Sequence, residues 1–282
     1  MVGTAAAPTV TDLVERWRTD LESWAIPPEI LDAASASPWE LPYKLFTRRA
    51  ELRLENPSGP SFERARESLD PPGSVLDIGT GAGAACLPLL ARATAMTAVD
   101  SDERLLSVLG ASASRLGFDL TRMYGRWPDI AARVEPADVV TCHHVLYNVA
   151  DIGPFLTELT SHARRRVVVE LTARHPLTWL NPLWEHFHGI VRPTVPTALD
   201  VVAILGELGL EPSHEAWSPA DEHEHQSFAD LVEVTTRRLC LDPGRSTEVA
   251  SALREQSDEA VRAGELRAYN PELLSIWWDG GA

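Results

Sequence analysis

Between Ser74 and Leu90 the chain reads SVLDIGTGAGAACLPLL. A short apolar run is followed by Gly79, Gly81 and Gly83 at every second position, and then by small and apolar residues. An apolar strand that turns through glycines into a helix has few homes outside an open α/β sheet. The glycines let the backbone turn sharply and approach a ligand closely, and the N–H groups of a following helix then point at that ligand. The expected helix runs from Ala82 to Ala91.

The rest of the chain supports this reading. After SVLDI come four more short apolar runs: TAMTAVD ending at Asp100, FDLTRMYG, DVVTC and RRRVVVELT. Helical patterns lie between them at Ala82–Ala91, Glu103–Gly110 and Pro154–Ala163. Strands alternating with helices predict a doubly wound, mostly parallel sheet. Ahead of it, residues 1–70 read as helices. Leu13, Val14, Trp17, Leu21 and Trp24 fall near a 3.6-residue period, Thr11 is placed to cap that helix, and Pro27-Pro28 ends it. After the fifth strand, a segment rich in proline and aromatics leads to a helix in ALDVVAILGELG, a strand in EPSHEAW, helices near 226–240 and 245–264, and a last strand in PELLSIWWDG. The expected organisation is a helical cap over 1–70 and a cofactor-binding domain over 71–282, of which 173–270 is partly a substrate cap or insertion.

Glycine spacing alone does not choose the cofactor. Gly79, Gly81 and Ala84 can be forced onto GxGxxG, which would bind NAD(P). Asp77, two residues before Gly79, argues otherwise, because a carboxylate at the strand end suits a cationic or amino-bearing ligand and repels a pyrophosphate. Lys44, the single lysine, has no tyrosine at the Tyr-x-x-x-Lys spacing of short-chain dehydrogenases. The run Asp77-Ile-Gly79-Thr-Gly81-Ala-Gly83 resembles the first motif of the class I S-adenosylmethionine-dependent methyltransferases. The resemblance covers about residues 72–172, and WWDG looks like that family's last, antiparallel strand. It implies a Rossmann-like seven-stranded sheet with S-adenosylmethionine as cofactor and S-adenosylhomocysteine as product. Asp77, Gly79, Thr80, Gly81 and Gly83 would hold the methionine part. Asp100, with Ser101 beside it, would accept bonds from the ribose hydroxyls. Arg126 and Trp127, in YGRWPDI, would lie at the adenine.

In that family the residue after the fourth strand faces the transferred methyl. The resemblance puts His143 there, where it would also contact the cofactor, with His144 next, and both are candidates for acceptor chemistry, as is Tyr147. Histidine suits a base at neutral pH. The pattern DxVxxxxVLxxV continues through Val145-Leu146 and Val149 but carries Asn148 where many relatives have histidine, and Asn-Pro-Pro-Tyr is absent after this strand. Glu170 ends the fifth strand, open to a substrate amine or to pairing with an arginine. His175, His186 and His188 share an aromatic segment with Trp179, Trp184 and Phe187 that reads as a lid or as a packed amphipathic helix. Glu222–His225 reads as a solvated loop. Trp17, Trp24 and Trp39 read as core or as pocket lining.

A formal net charge of -16 disfavours nucleic acid and anionic membranes as partners. The three cysteines have no metal-ligand or disulfide spacing, and no metal is expected. The first residues lack a secretory pattern and no apolar run approaches a membrane span, so a cytoplasmic monomer or homodimer is expected. The expected activity is methyl transfer to a small-molecule or peptide/protein acceptor. The alternatives are a non-catalytic S-adenosylmethionine-binding partner protein and an NAD(P)-dependent oxidoreductase.

Overall fold

The computed structural model describes residues 9–40, 43–219, 227–256 and 271–281. Four helices come first: α1 Val10–Glu22, α2 Pro28–Ala33, α3 Tyr43–Glu55 and α4 Pro60–Ser68. The cap of α1 is Thr9, not Thr11. The Asp12 N–H donates to the Thr9 hydroxyl, and the Thr9 N–H donates to the Asp12 carboxylate. Only a residue three positions before an acid can close that reciprocal box, and Thr11 lies inside the first turn.

The sheet follows as β1 Gly73–Ile78, β2 Ala93–Asp100, α5 Glu103–Arg115, β3 Thr121–Tyr124, β4 Ala137–His143, α6 Ile152–Ser161 and β5 Ala163–Thr172. Then come α7 Asn181–His188, α8 Ala198–Glu207, β6 Ser213–Trp217, α9 Phe228–Arg238, α10 Ser246–Gln256 and β7 Leu273–Asp279. The expected helices near 226–240 and 245–264 are thus α9 and α10; residues 257–264 lie outside the described residues, as does Glu222–His225. The seven strands are ordered β3-β2-β1-β4-β5-β7-β6, and β7 alone runs antiparallel to its neighbours. The order reverses between β1 and β4, and in such sheets ligands bind beyond the carboxyl ends of the strands at that point.

Side chains alternate across the sheet. Leu76, Ile78, Val140, Cys142, Val167 and Val169 face a core completed by Leu13 and Trp17 of α1, Phe155 of α6 and Val201 of α8. Val75, Ala98, Val139 and Val168 face the opposite core with Ala50 of α3, Ala65 of α4 and Leu109 of α5. A third cluster joins α7, α9 and α10 through Leu183, Leu231 and Val249. No helix among the described residues is long and apolar enough to cross a membrane.

The expected helix over Ala82–Ala91 is not α-helical. The chain there forms successive turns and a short 3-10 helix at Leu87–Leu89. Gly83 has φ +97 and a helix cannot propagate through it, while Pro88 removes a donor five residues later. The Leu87 N–H closes one turn onto the Gly83 carbonyl at 3.0 Å and the pattern stops.

Candidate active site

The alternation that builds the core also builds the site. Two residues on from Val75, Ala98 and Val168, and four on from Val139, the same face carries Asp77, Asp100, Glu170 and His143. Each apolar strand therefore ends on a polar side chain aimed toward the α3 to α5 side. These groups line one cavity of about 400 Å³. Phe46, Arg49 and Arg53 of α3, spaced three and four apart, present one helix stripe to it, and Ser61 of α4 adds a hydroxyl.

One half of the cavity lies over β1 and β2. Gly79 and Gly81 both have positive φ, and a Cβ on Gly79 would sit 2.3 Å from Val145 Cγ2. The buried Asp77 accepts the Thr80 hydroxyl at 2.6 Å and the Thr141 hydroxyl at 2.7 Å. Burial raises its pKa against these two bonds. Asp100 accepts the Gly81 N–H at 2.7 Å and the Asp102 N–H at 2.8 Å, one on each oxygen. Burial raises its pKa as well. Each oxygen keeps a further lone pair for an incoming donor. Ser101, Arg126 and Trp127 complete this half. Arg126 is exposed at its rim. Trp127 is buried edge-on to His162 and its indole Nε1 has no partner. Gly83 departs from its expected role. It is not part of the lining, and a Cβ there would meet Leu109 at 2.5 Å and Leu87 at 2.8 Å, so the third glycine admits the apolar layer beneath the loop.

The other half lies over β4 and β5, whose register pairs His143 with Glu170. Glu170 is 1% exposed. Its Oε1 is 3.2 Å from the Arg53 guanidinium, 3.6 Å from His144 Nε2 and 3.9 Å from His143 Nδ1. Its Oε2 accepts the Ser61 hydroxyl. Burial alone would raise its pKa, but the His144 contact, the facing His143 imidazole and the Arg53 guanidinium outweigh it and hold the carboxyl well below the usual range. His144 adopts φ +59 and its N–H donates to the Glu170 carbonyl at 2.6 Å. His143 is held neutral: burial lowers its pKa to about 4, with Glu170 pulling the other way and His144, Arg53 and Arg49 adding to the fall. Its Nε2 is buried without a partner. Asn148 also lines the cavity.

Tyr147 is not brought to this site. It points to the opposite core, where its hydroxyl donates to the Thr172 carbonyl at 2.9 Å and its ring stacks on Trp17. The 3-10 turn Leu146–Asn148 directs it there, packed beneath α1. Trp17 and Trp24 are core residues, tied by their indole N–H groups to the Val149 and Val195 carbonyls, and Trp39 is half exposed; none lines the cavity. His175 stacks on Trp24, and His188 bonds the Leu239 carbonyl. Sequence reasoning missed Arg53 and Ser61. Neither carries a motif, and only the fold brings them to Glu170.

A protein-family model described as a methyltransferase domain matches residues 48–234. Among curated proteins, the ubiquinone biosynthesis O-methyltransferase of Caulobacter vibrioides is 25% identical over 234 residues, which span 71% of this chain and 92% of that protein. Among solved structures, the YcgJ protein from Bacillus subtilis is 17% identical with a TM-score of 0.50, over 77% of this chain and 99% of that one. The magnesium protoporphyrin IX methyltransferase of Synechocystis PCC 6803, solved with bound S-adenosylhomocysteine, is 16% identical with a TM-score of 0.48, over 84% and 94%.

Proposed function

The chain belongs to the methyltransferase-domain family, and from that premise we propose that it methylates a hydroxyl group of a small molecule, with His143 as the base. The cofactor is S-adenosylmethionine, and the donor set over β1 and β2 fits it. That half of the cavity offers the carboxylates of Asp77 and Asp100, and the glycine loop carries no cation to answer a pyrophosphate. Asp77, Gly79, Thr80 and Gly81 would hold the methionine part. Asp100 and Ser101 would hold the ribose. At Arg126 and Trp127 an adenine ring would supply the acceptor that Trp127 Nε1 lacks. When bound, the cofactor supplies an electrophilic methyl on a sulfonium.

The observation that carries the acceptor assignment is the unpartnered Nε2 of His143 in the cavity wall. In the tautomer with the proton on Nδ1, Nε2 is a buried lone pair that calls for a hydrogen-bond donor. A hydroxyl gives that bond and then its proton. A carboxylate offers only lone pairs and would leave Nε2 unsatisfied. A base whose pKa is held low stays ready to accept over the whole neutral range. The chain otherwise aligns the acceptor oxygen and excludes water. Size points the same way: about 400 Å³ is near the lower end for ligand pockets and is shared with the cofactor, so the acceptor is small. In this reading α3 and α4 act as the cap on the acceptor half, through Arg53 and Ser61.

The test is transfer of labelled methyl to a panel of simple phenols, alcohols, carboxylic acids and amines. Phenols or alcohols are expected to be methylated, with His143→Ala slowing transfer by about 10²-fold or more while S-adenosylmethionine affinity holds. Methylation of carboxylic acids alone, or an undiminished rate in His143→Ala, refutes the assignment.

A further inference from the structure

A buried glutamate is costly, and an Arg–Glu pair is no cheap way to stabilise a fold. Yet at the carboxyl edge of β5 such a pair is fully enclosed, with Arg53 and Glu170 both buried. The two sit 117 residues apart in sequence. Arg53 is itself fixed on three sides. It donates to the Ser58 carbonyl at 3.0 Å, lies 4.8 Å over the Trp217 ring and reaches Glu170. Ser61 occupies the other carboxylate oxygen. The carboxylate therefore cannot turn, and Oε1 is the oxygen it presents to the residues at the end of β4.

What Oε1 meets there is the pair of imidazoles that follow β4. The β4/β5 register sets His143 directly beside Glu170, and the backbone N–H of His144 is bonded to the Glu170 carbonyl. That last bond holds His144 in the left-handed region, a strained backbone for a residue with a side chain. His143 Nδ1 faces the carboxylate while Nε2 faces nothing. The 3.9 Å to Nδ1 is longer than a hydrogen bond, and contacts of this kind close when a ligand arrives.

Resting on the reading of His143 as the base, we propose that Glu170 is a positioning residue. Fixed by Arg53 and Ser61, it selects the neutral His143 tautomer that carries its proton on Nδ1, and so leaves the Nε2 lone pair for the acceptor. The N-terminal helices α3 and α4 thereby set the protonation pattern of the base through Glu170. A purely structural ion pair would leave the His143 tautomer indifferent to Glu170.

Nitrogen-15 NMR of histidine-labelled full-length protein at neutral pH, with bound S-adenosylhomocysteine, reads this directly. The His143 signals are assigned by their loss in His143→Gln. The wild-type protein is expected to show His143 protonated on Nδ1. In Glu170→Gln the tautomers should mix. Because that variant strands the Arg53 charge, Arg53→Gln combined with Glu170→Gln is measured in parallel. Cofactor affinity by calorimetry should stay within about threefold in both. Wild-type His143 protonated on Nε2 overturns the proposal without any variant. So does an unchanged Nδ1 tautomer in a folded charge-free pair. Failure of the base reading looks different: His143→Gln would then keep the wild-type rate whatever the tautomer.

Discussion

Acid should destabilise this protein through buried histidines well before it protonates most carboxylates, and His175 shows by how much. Its ring is 8% exposed, stacked on Trp24 at 3.8 Å and edge-on to Tyr147 at 5.1 Å. Its Nδ1 accepts the Leu177 N–H at 3.3 Å, which requires the neutral ring. Burial, with Arg192 and Arg238 nearby, pushes its pKa from 6.5 down to about 3. The unfolded chain therefore binds a proton that the folded chain refuses, so stability falls as pH drops from about 6.5 toward 3. At pH 5 the deficit is about 1.5 pH units, or about 2 kcal/mol at 1.36 kcal/mol per unit. That is a large share of the roughly 5–15 kcal/mol that holds a domain together. Urea unfolding at pH 7 and pH 5, followed by tryptophan fluorescence and circular dichroism, measures it in wild type and in His175→Phe. The phenyl ring keeps the stack on Trp24 and cannot titrate. The variant is expected to start less stable at pH 7 but to lose about 2 kcal/mol less than wild type between the two pH values. His143, Asp77 and Asp100 also titrate anomalously, but they are common to both proteins and cancel in the difference. Glu170, with its pKa held low, loses its stabilising charge only below the unfolded carboxyl range and stays out of this window. Equal losses in the two proteins would refute the buried neutral state of His175.

Three further outcomes follow from the site. Asp100→Ala removes the acceptor of the Gly81 and Asp102 N–H groups along with the expected ribose contact, so calorimetry should show S-adenosylmethionine binding weakened by about 10-fold or more in a folded protein. Unchanged affinity would move the ribose elsewhere. Tyr147→Phe should leave methyl transfer at the wild-type rate and lower stability by about 1–2 kcal/mol in urea unfolding, because it strands the Thr172 carbonyl away from the cavity. Gly79→Ala combines φ +67 with a Cβ 2.3 Å from Val145, and should cost about 2–4 kcal/mol and lower cofactor affinity, read by thermal unfolding and calorimetry together.

The sheet was legible because its signals are local. Runs such as VLDI and VVVEL are apolar but for one acid each near the strand end, as strands buried on both faces are, and the turns between them carry glycine and proline. The alternation inside those runs held more than was taken from it. Asp77, Asp100, His143 and Glu170 each fall an even number of positions beyond a residue that shares one core, so their common face was written in the parity of the strand positions. Tyr147 misled because parity stops at the strand end. The 3-10 turn after β4 redirects the chain, and no local pattern announces its direction. Gly83 misled for a related reason, since a glycine needed beneath the loop to admit Leu109 reads the same as one needed at a ligand.

The half of the cavity over β4 and β5 was illegible in a deeper way. Its polar content comes from three places that no sequence window spans: the ends of β4 and β5, and the helices α3 and α4, more than a hundred residues before Glu170. On the helices, Arg53 looks like one arginine among several and Ser61 like an ordinary first-turn serine. Their chemistry arises only when Ala50 and Ala65 pack on the sheet beside Val139 and Val168. Small residues let α3 and α4 sit close, and that closeness puts a guanidinium and a hydroxyl on a carboxylate that would otherwise be buried alone. The packing of α3 and α4 and the electrostatics around His143 are thus one arrangement. A substitution that lifts α3 off the sheet, such as Ala50→Leu, should therefore disturb the His143 environment before it disturbs the glycine loop.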